Sequence, residues 1–412
     1  MFVAVLAACG DMADGGVAPN DVGPTLDTSI FDTGTATSTT DATSSDTTTP
    51  TDAVFPDTRL PETTAPLTSL KDDPTYLVPG NVSSKTEVTA FERTVAWVET
   101  PRDGGPFLVV WDPTSEDGAR TFFVPNLIRP RQLALSRELL VYVDDRYGDP
   151  DVFAVDLVTG DATTVVARRG AQERPTVLGR RVAWADCRAC VTGDDGAGWE
   201  IWTRDGDEPE ARLSDDATPD RAPTFGVLSG DEVLAWISGR SELRVVGRAV
   251  LDGGAGRDER LDVASELRAS EAVGWLAVTP GALAYRTRPL IVNPDSMIVN
   301  PDSMYPSDVL VSEVVAGVLG GTTRLTRHGE LRDGVDGSLR AAGARLAWIA
   351  SRPIDGGAGG AETLVLTEGL VTTDTIDEPG LTTFGLGASL LAFVAPRADN
   401  DGLPDAWVLP LD

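Results

Sequence analysis

The run Leu140-Val141-Tyr142-Val143-Asp144-Asp145-Arg146-Tyr147-Gly148-Asp149-Pro150-Asp151-Val152-Phe153-Ala154-Val155-Asp156-Leu157-Val158-Thr159-Gly160 holds the unit from which the chain is built. An apolar segment ends in an aromatic, and a polar stretch bearing Gly and Pro follows. A second apolar segment then runs into a turn. Short β-branched and aromatic runs bounded by turn residues read as strands joined in a hairpin.

The first segment recurs six more times, as Thr94-Val95-Ala96-Trp97, Val182-Ala183-Trp184, Val233-Leu234-Ala235-Trp236, Leu283-Ala284-Tyr285, Leu346-Ala347-Trp348 and Leu391-Ala392-Phe393. Successive aromatics lie 42 to 63 residues apart. A second strand follows each copy, as in Phe107–Val110, Glu200-Ile201-Trp202 and Glu362–Val365. Repeats of this length, each a few short strands, are the signature of propeller blades. No long stretch shows a 3.6-residue apolar period, so the reading is all-β with few helices. Seven copies predict a seven-bladed β-propeller over residues 71–412, with six and eight blades as alternatives. The last copy stops after its second strand, and Thr75-Tyr76-Leu77-Val78 is placed to supply the missing outer strand and close the ring.

The quoted run resembles the repeat of TolB-like (PD40-type) β-propellers, most sharply in the second and third copies. The resemblance implies the fold and a periplasmic or surface setting. It does not imply a role in colicin import, because such repeats occur in many unrelated secreted proteins. The Gly-His…Trp-Asp signature of the WD40 class is absent.

Outward from the repeats, composition changes sharply. Residues 10–70 are dominated by Thr, Ser, Asp and Pro, and such a segment buries too little apolar surface to offset the entropy of ordering. It reads as a disordered tether, reaching on the order of 40 Å as a flexible coil. Ahead of it, Leu6-Ala7-Ala8-Cys9 resembles the lipobox of bacterial lipoproteins. That resemblance implies residues 1–9 as signal and lipobox, a diacylated Cys9 and stable membrane anchoring. The apolar run is short and lacks a basic n-region, so the true start is expected upstream of Met1.

Sixty-four acids against 34 bases give a formal charge of −30, which argues against nucleic acid as a partner. Lys71 and Lys85 are the two lysines; every other base is arginine. His328 is the one histidine, which removes most histidine-based metal and acid–base sites. No nucleophile elbow, zinc-protease helix or phosphate-binding glycine loop appears.

Three constellations remain. In five copies an arginine stands four residues past the aromatic, Arg146, Arg188, Arg240, Arg352 and Arg397, and in the copy ending at Tyr285 it stands three past, Arg288. In the same copies an acid opens the next strand: Asp151, Glu200, Glu242, Asp308, Glu362 and Asp405. An arginine ring invites an anion-binding reading, but repetition in nearly every blade favours architecture. The expectation is therefore a cross-hairpin ion pair in each blade, Arg146 with Asp151, Arg188 with Glu200, Arg352 with Glu362 and Arg397 with Asp405, at about 0.2–1 kcal/mol apiece.

Cys187-Arg188-Ala189-Cys190 sits in the hairpin loop of the third copy. In an oxidising compartment a local disulfide is the default; a redox pair would open a helix in a βαβ unit, and zinc would need further ligands. The run Asp399-Asn400-Asp401-Gly402-Leu403-Pro404-Asp405 resembles the calcium repeats of thrombospondin type 3 modules, with Asp399, Asp401 and Asp405 as oxygen ligands. Blade five carries a tandem duplication, Ile291–Met297 and Ile298–Met304, read as slippage in a surface loop.

Together these predict a monomeric, lipid-anchored cell-envelope propeller that binds a protein or glycan partner without catalysis. The alternative is a calcium-dependent propeller hydrolase, lyase or lactonase acting on a glycan or small ester.

Overall fold

A computed structural model describes Tyr76–Leu77 and residues 83–412 apart from 114–117, 191–197, 216–217, 270, 290–305, 316, 327–330, 333–338, 353–360, 378–379, 397–402 and 412. Cys9, His328, the duplication in blade five, and Asp399 and Asp401 lie outside the described residues. Seven antiparallel four-stranded sheets form a seven-bladed propeller.

Blade one comprises Ser83–Phe91, Thr94–Pro101, Phe107–Trp111 and Arg120–Phe122. Blade two is Arg131–Leu135, Leu139–Asp144, Asp151–Asp156 and Ala162–Val166. Blade three is Gln172–Leu178, Arg181–Asp186, Glu200–Asp205 and Ala211–Arg212, and blade four Asp220–Leu228, Asp231–Ser238, Glu242–Gly247 and Asp258–Asp262. Glu271–Val278, Ala282–Pro289, Val309–Val315 and Val318–Arg324 make blade five; Leu339–Ala342, Arg345–Arg352, Ala361–Glu368 and Val371–Asp377 make blade six. Blade seven takes Thr383–Leu386, Leu390–Pro396 and Pro404–Pro410 from the chain's end and Tyr76–Leu77 from before blade one. Tyr76 pairs with Val408 and Leu77 with Trp407, so the ring is clasped as the sequence predicted.

The first strands of neighbouring blades touch one another all the way round, blade seven against blade one included, and therefore line the central channel. The aromatic strand of the repeat is consequently second from the axis. An additional strand, invisible to the motif, precedes it in every blade.

The aromatics explain why the motif repeats. Strand residues alternate between two faces, and each face packs on a different neighbour. Tyr142 lies in the cluster shared with Ala96 and Val98 of blade one, Trp184 in that with Val152 and Ala154 of blade two, and Trp236 in that with Ala183 and Ala185 of blade three. Tyr285, Trp348 and Phe393 repeat the arrangement, and Trp97 closes it against Ala392 and Val394 of blade seven. Each aromatic is thus a peg in the preceding blade. Trp97, Trp184 and Trp236 are fully buried, and truncating such a side chain to alanine typically costs about 3–5 kcal/mol. At the seam between blades seven and one the inner strands approach closely. A methyl group added at Gly385 would stand 2.5 Å from backbone atoms of Thr89 and Ala90.

Candidate functional site: the mouth of the central channel

The inner strands begin on the face from which the hairpin loops between second and third strands emerge. Near that end, four of them carry a β-bulge opposite the repeat aromatic. The pairing skips Glu87–Val88 opposite Trp97, Gln132–Leu133 opposite Tyr142, Arg174–Pro175 opposite Trp184, and Ala222–Pro223 opposite Trp236. The first residue of each pair has a left-handed backbone, with φ of 53°, 52°, 53° and 51°. Left-handed non-glycine residues are uncommon, and bulges re-aim side chains at barrel rims and sites. In blade five the bulged residue is Gly274, between Val273 and Trp275.

These bulges are bonded to one another from blade to blade. A carboxylate oxygen of Glu87 accepts the backbone N–H of Gln132 at 2.8 Å, and Gln132 Oε1 accepts the N–H of Arg174 at 2.6 Å. The Arg174 guanidinium then passes blade four and donates to the carbonyl of Gly274, Nη1 to O 3.4 Å. It also lies 6.0 Å from the ring centre of Trp275, which Arg286 approaches at 5.5 Å. A methyl group at Gly274 would meet the aliphatic stem of Arg288 at 3.2 Å, so Arg288 lies across the inner strand where a side chain is missing. Half-buried Arg221 completes the group. Burial, then the charges of Arg288 and Arg174, hold its guanidinium below the usual arginine range. Its Nε is buried without a hydrogen-bond partner.

The cross-hairpin pairs take a different form. Asp151 stands directly opposite Asp144, and Glu200 opposite Asp186. Arg146 and Arg188, beyond the strand end, turn back to the fully buried acid on their own strand: Arg146 Nε to Asp144 at 2.6 Å and Arg188 Nη2 to Asp186 at 2.7 Å. The acids of the third strand face outward instead. Glu200 accepts from Arg212 at 2.5 Å, Glu242 pairs with Arg260 at 3.5 Å, and Asp308 binds Arg324, each arginine lying on the outer strand. Glu362 accepts the N–H of Gly380 at 3.0 Å. The Arg352 side chain and Arg397 lie outside the described residues. Asp405, expected among calcium ligands and opposite Arg397, pairs with buried Lys85 at 2.8 Å. Cys187 and Cys190 are joined in the hairpin loop of blade three, Cα to Cα 5.1 Å.

Asp151 is nearly fully buried. Burial and the neighbouring Asp149 push its carboxyl up to about 6. Among the described residues no group of three His, Cys, Asp or Glu is placed to hold a metal, and no helix is long and apolar enough to cross a membrane.

Sequence reasoning missed the channel residues because it missed the inner strands. In blades three and four a signal was present, a charged residue shortly before proline and then Thr and an apolar residue: Glu173-Arg174-Pro175-Thr176-Val177 and Arg221-Ala222-Pro223-Thr224-Phe225.

No family model matches the chain, and no curated protein matches it. Solved structures do. Oligogalacturonate lyase from Vibrio parahaemolyticus is 9% identical with a TM-score of 0.51, over 81% of this chain and 92% of that one. A prolyl endopeptidase is 14% identical with a TM-score of 0.49 over 77% of this chain; the match spans 46% of that protein's length. TolB from Acinetobacter baumannii is 16% identical with a TM-score of 0.41, over 73% and 67%. At these identities the likeness is one of fold.

Proposed function

We propose that this chain is a lipid-anchored binding propeller of the cell envelope, held by Cys9, spaced from the membrane by residues 10–70, and recognising its partner at the channel mouth. The observation that carries this reading is the chemistry of that mouth. Glu87, Gln132 and Arg174 are bonded blade to blade, and the guanidinium groups of Arg221 and Arg288 stand beside them. Arginine does not give up its proton in proteins, so these side chains suit recognition better than proton transfer. Exposed Phe123, Ile128 and Tyr147 add apolar surface around the junction of blades one and two.

Two measurements test it. Wild-type chain should fractionate with membranes and the Cys9→Ser variant should not. Purified full-length chain, incubated with glycans and small lactones in calcium, should leave them intact. Turnover abolished by chelator would overturn the reading in favour of a calcium-dependent hydrolase or lyase.

A further inference from the structure

The repeat arginine four residues past the aromatic is satisfied in three successive blades. Arg146 binds Asp144, Arg188 binds Asp186 and Glu210, and Arg240 donates to the carbonyls of Arg268, Ala269 and Glu271. In blade five that position is Pro289, and Arg288 stands one residue earlier, inside the second strand. Among the described residues it has neither a carboxylate partner nor a side-chain hydrogen bond. It is the next-to-last residue of Ala282–Pro289, which ends at the mouth face, and Gly274 leaves room for its stem to lie across the inner strand. Arg174 of blade three donates to the Gly274 carbonyl, the Arg288 stem covers the Gly274 Cα, and Arg221 of blade four feels the charges of both, so arginines of three successive blades are neighbours here.

This convergence is unusual for this chain. Acids outnumber bases by 64 to 34, yet the charges acting on Arg221 are those of two further arginines. Arg221 and Arg288 are half-buried and Arg174 exposed, and like charges held together while partly desolvated favour an opposite charge to complete the set. Guanidinium groups offer planar forks that match the oxygens of a carboxylate or phosphate, and such bonds are shorter and stronger than neutral ones.

We propose that Arg174, Arg221 and Arg288 form a binding site for an oxyanion, a carboxylate or phosphate group carried by the ligand of the channel mouth. This inference deepens the binding reading above and rests on it for the ligand's route of entry. The glutamine–arginine relay from Glu87 fixes the backbone that carries Arg174, and Arg221 and Arg288 supply the unengaged forks.

The test uses the full-length chain, with inorganic phosphate and succinate as probes at constant ionic strength and chloride as the reference anion. Calorimetry and thermal unfolding should show saturable binding of phosphate or succinate, and the tighter of the two identifies the group. Arg221→Gln and Arg288→Gln should each weaken it roughly 10- to 100-fold, as expected for one charged hydrogen bond. Arg240→Gln should leave it unchanged. Without anion, Arg221→Gln should melt higher than wild type, because a repulsion among partly desolvated charges is removed; a purely structural arginine would melt lower. Should a variant fail to fold, the Arg221 Nε–Hε resonance of wild type, titrated with phosphate and succinate, gives the same answer. Absence of saturable binding, or binding indifferent to both variants, overturns the site. A chain that retains its partner but ignores both anions would lose the site and keep the scaffold reading. Catalytic turnover with anion binding intact would do the reverse.

Discussion

Lys85 Nζ lies 2.8 Å from Asp405 Oδ1, both side chains almost fully buried, at the seam where the last blade meets the first. The pair joins strands 320 positions apart, the end of the chain to its first blade. Removing one member leaves an uncompensated buried charge, which costs about 3–5 kcal/mol, whereas replacing both with apolar groups of similar size is often neutral. Lys85→Met and Asp405→Leu should each destabilise strongly in urea unfolding, and the double variant should recover most of the loss. Additive losses would mean that the two charges are not coupled.

The seam also depends on close backbone approach. Gly385→Ala would force its methyl group into Thr89 and Ala90, an overpacking that costs about 1–3 kcal/mol. Gly281 has open space around its would-be Cβ, so Gly281→Ala serves as the neutral control. Equal melting temperatures for the two variants would refute the tight approach.

Asp151 sets a pH dependence. Its folded pKa of about 6 lies above the ordinary value of 3.8, so the folded state holds the proton more tightly than the unfolded one. Between about pH 4 and 6 the folded chain binds more protons, and this residue's contribution to stability falls as pH rises. Asp151→Asn should flatten that fall, raising stability at pH 7 and leaving it little changed at pH 4. Denaturant titrations at both values check this; an equal effect at both would sink it.

The repeat suggests a gain of stability as well. Trp97 and Trp184 donate Nε1–H to the acid two residues on, Glu99 at 3.1 Å and Asp186 at 2.9 Å. In blade four that position is Ser238, and the Trp236 Nε1 is buried without an acceptor. Ser238→Asp restores the pattern of blade three, including an arginine two residues further, Arg240. The expected gain is about 1 kcal/mol, read as a shift in urea midpoint with unchanged slope. A lower midpoint would mean that Glu242, directly opposite, repels the new charge more than Trp236 attracts it.

The blade count and the closing strand were legible because the peg is selected by packing, and packing writes the same aromatic at the same place in each repeat. The inner strands were not, since a bulge with polar residues erases the two-residue alternation that marks a strand. Arg146 and Arg188 bind an acid of their own strand for a geometric reason. Adjacency in sequence put Arg146 near Asp151, but register put Asp144 there, leaving the arginine to its own strand. Arg174, Arg221 and Arg288 are 47 and 67 positions apart, and only the closed ring brings them together.

Because each aromatic fits the blade before it, the ring has a direction that its sevenfold outline conceals. A blade cut between its outer strand and the next inner strand carries one peg and one socket, so it can be added or removed while every remaining joint keeps its mate. A rearrangement within a blade would separate peg from socket at two joints at once. Gene duplication can therefore lengthen or shorten such a ring by whole units far more readily than it can reorder the strands inside one.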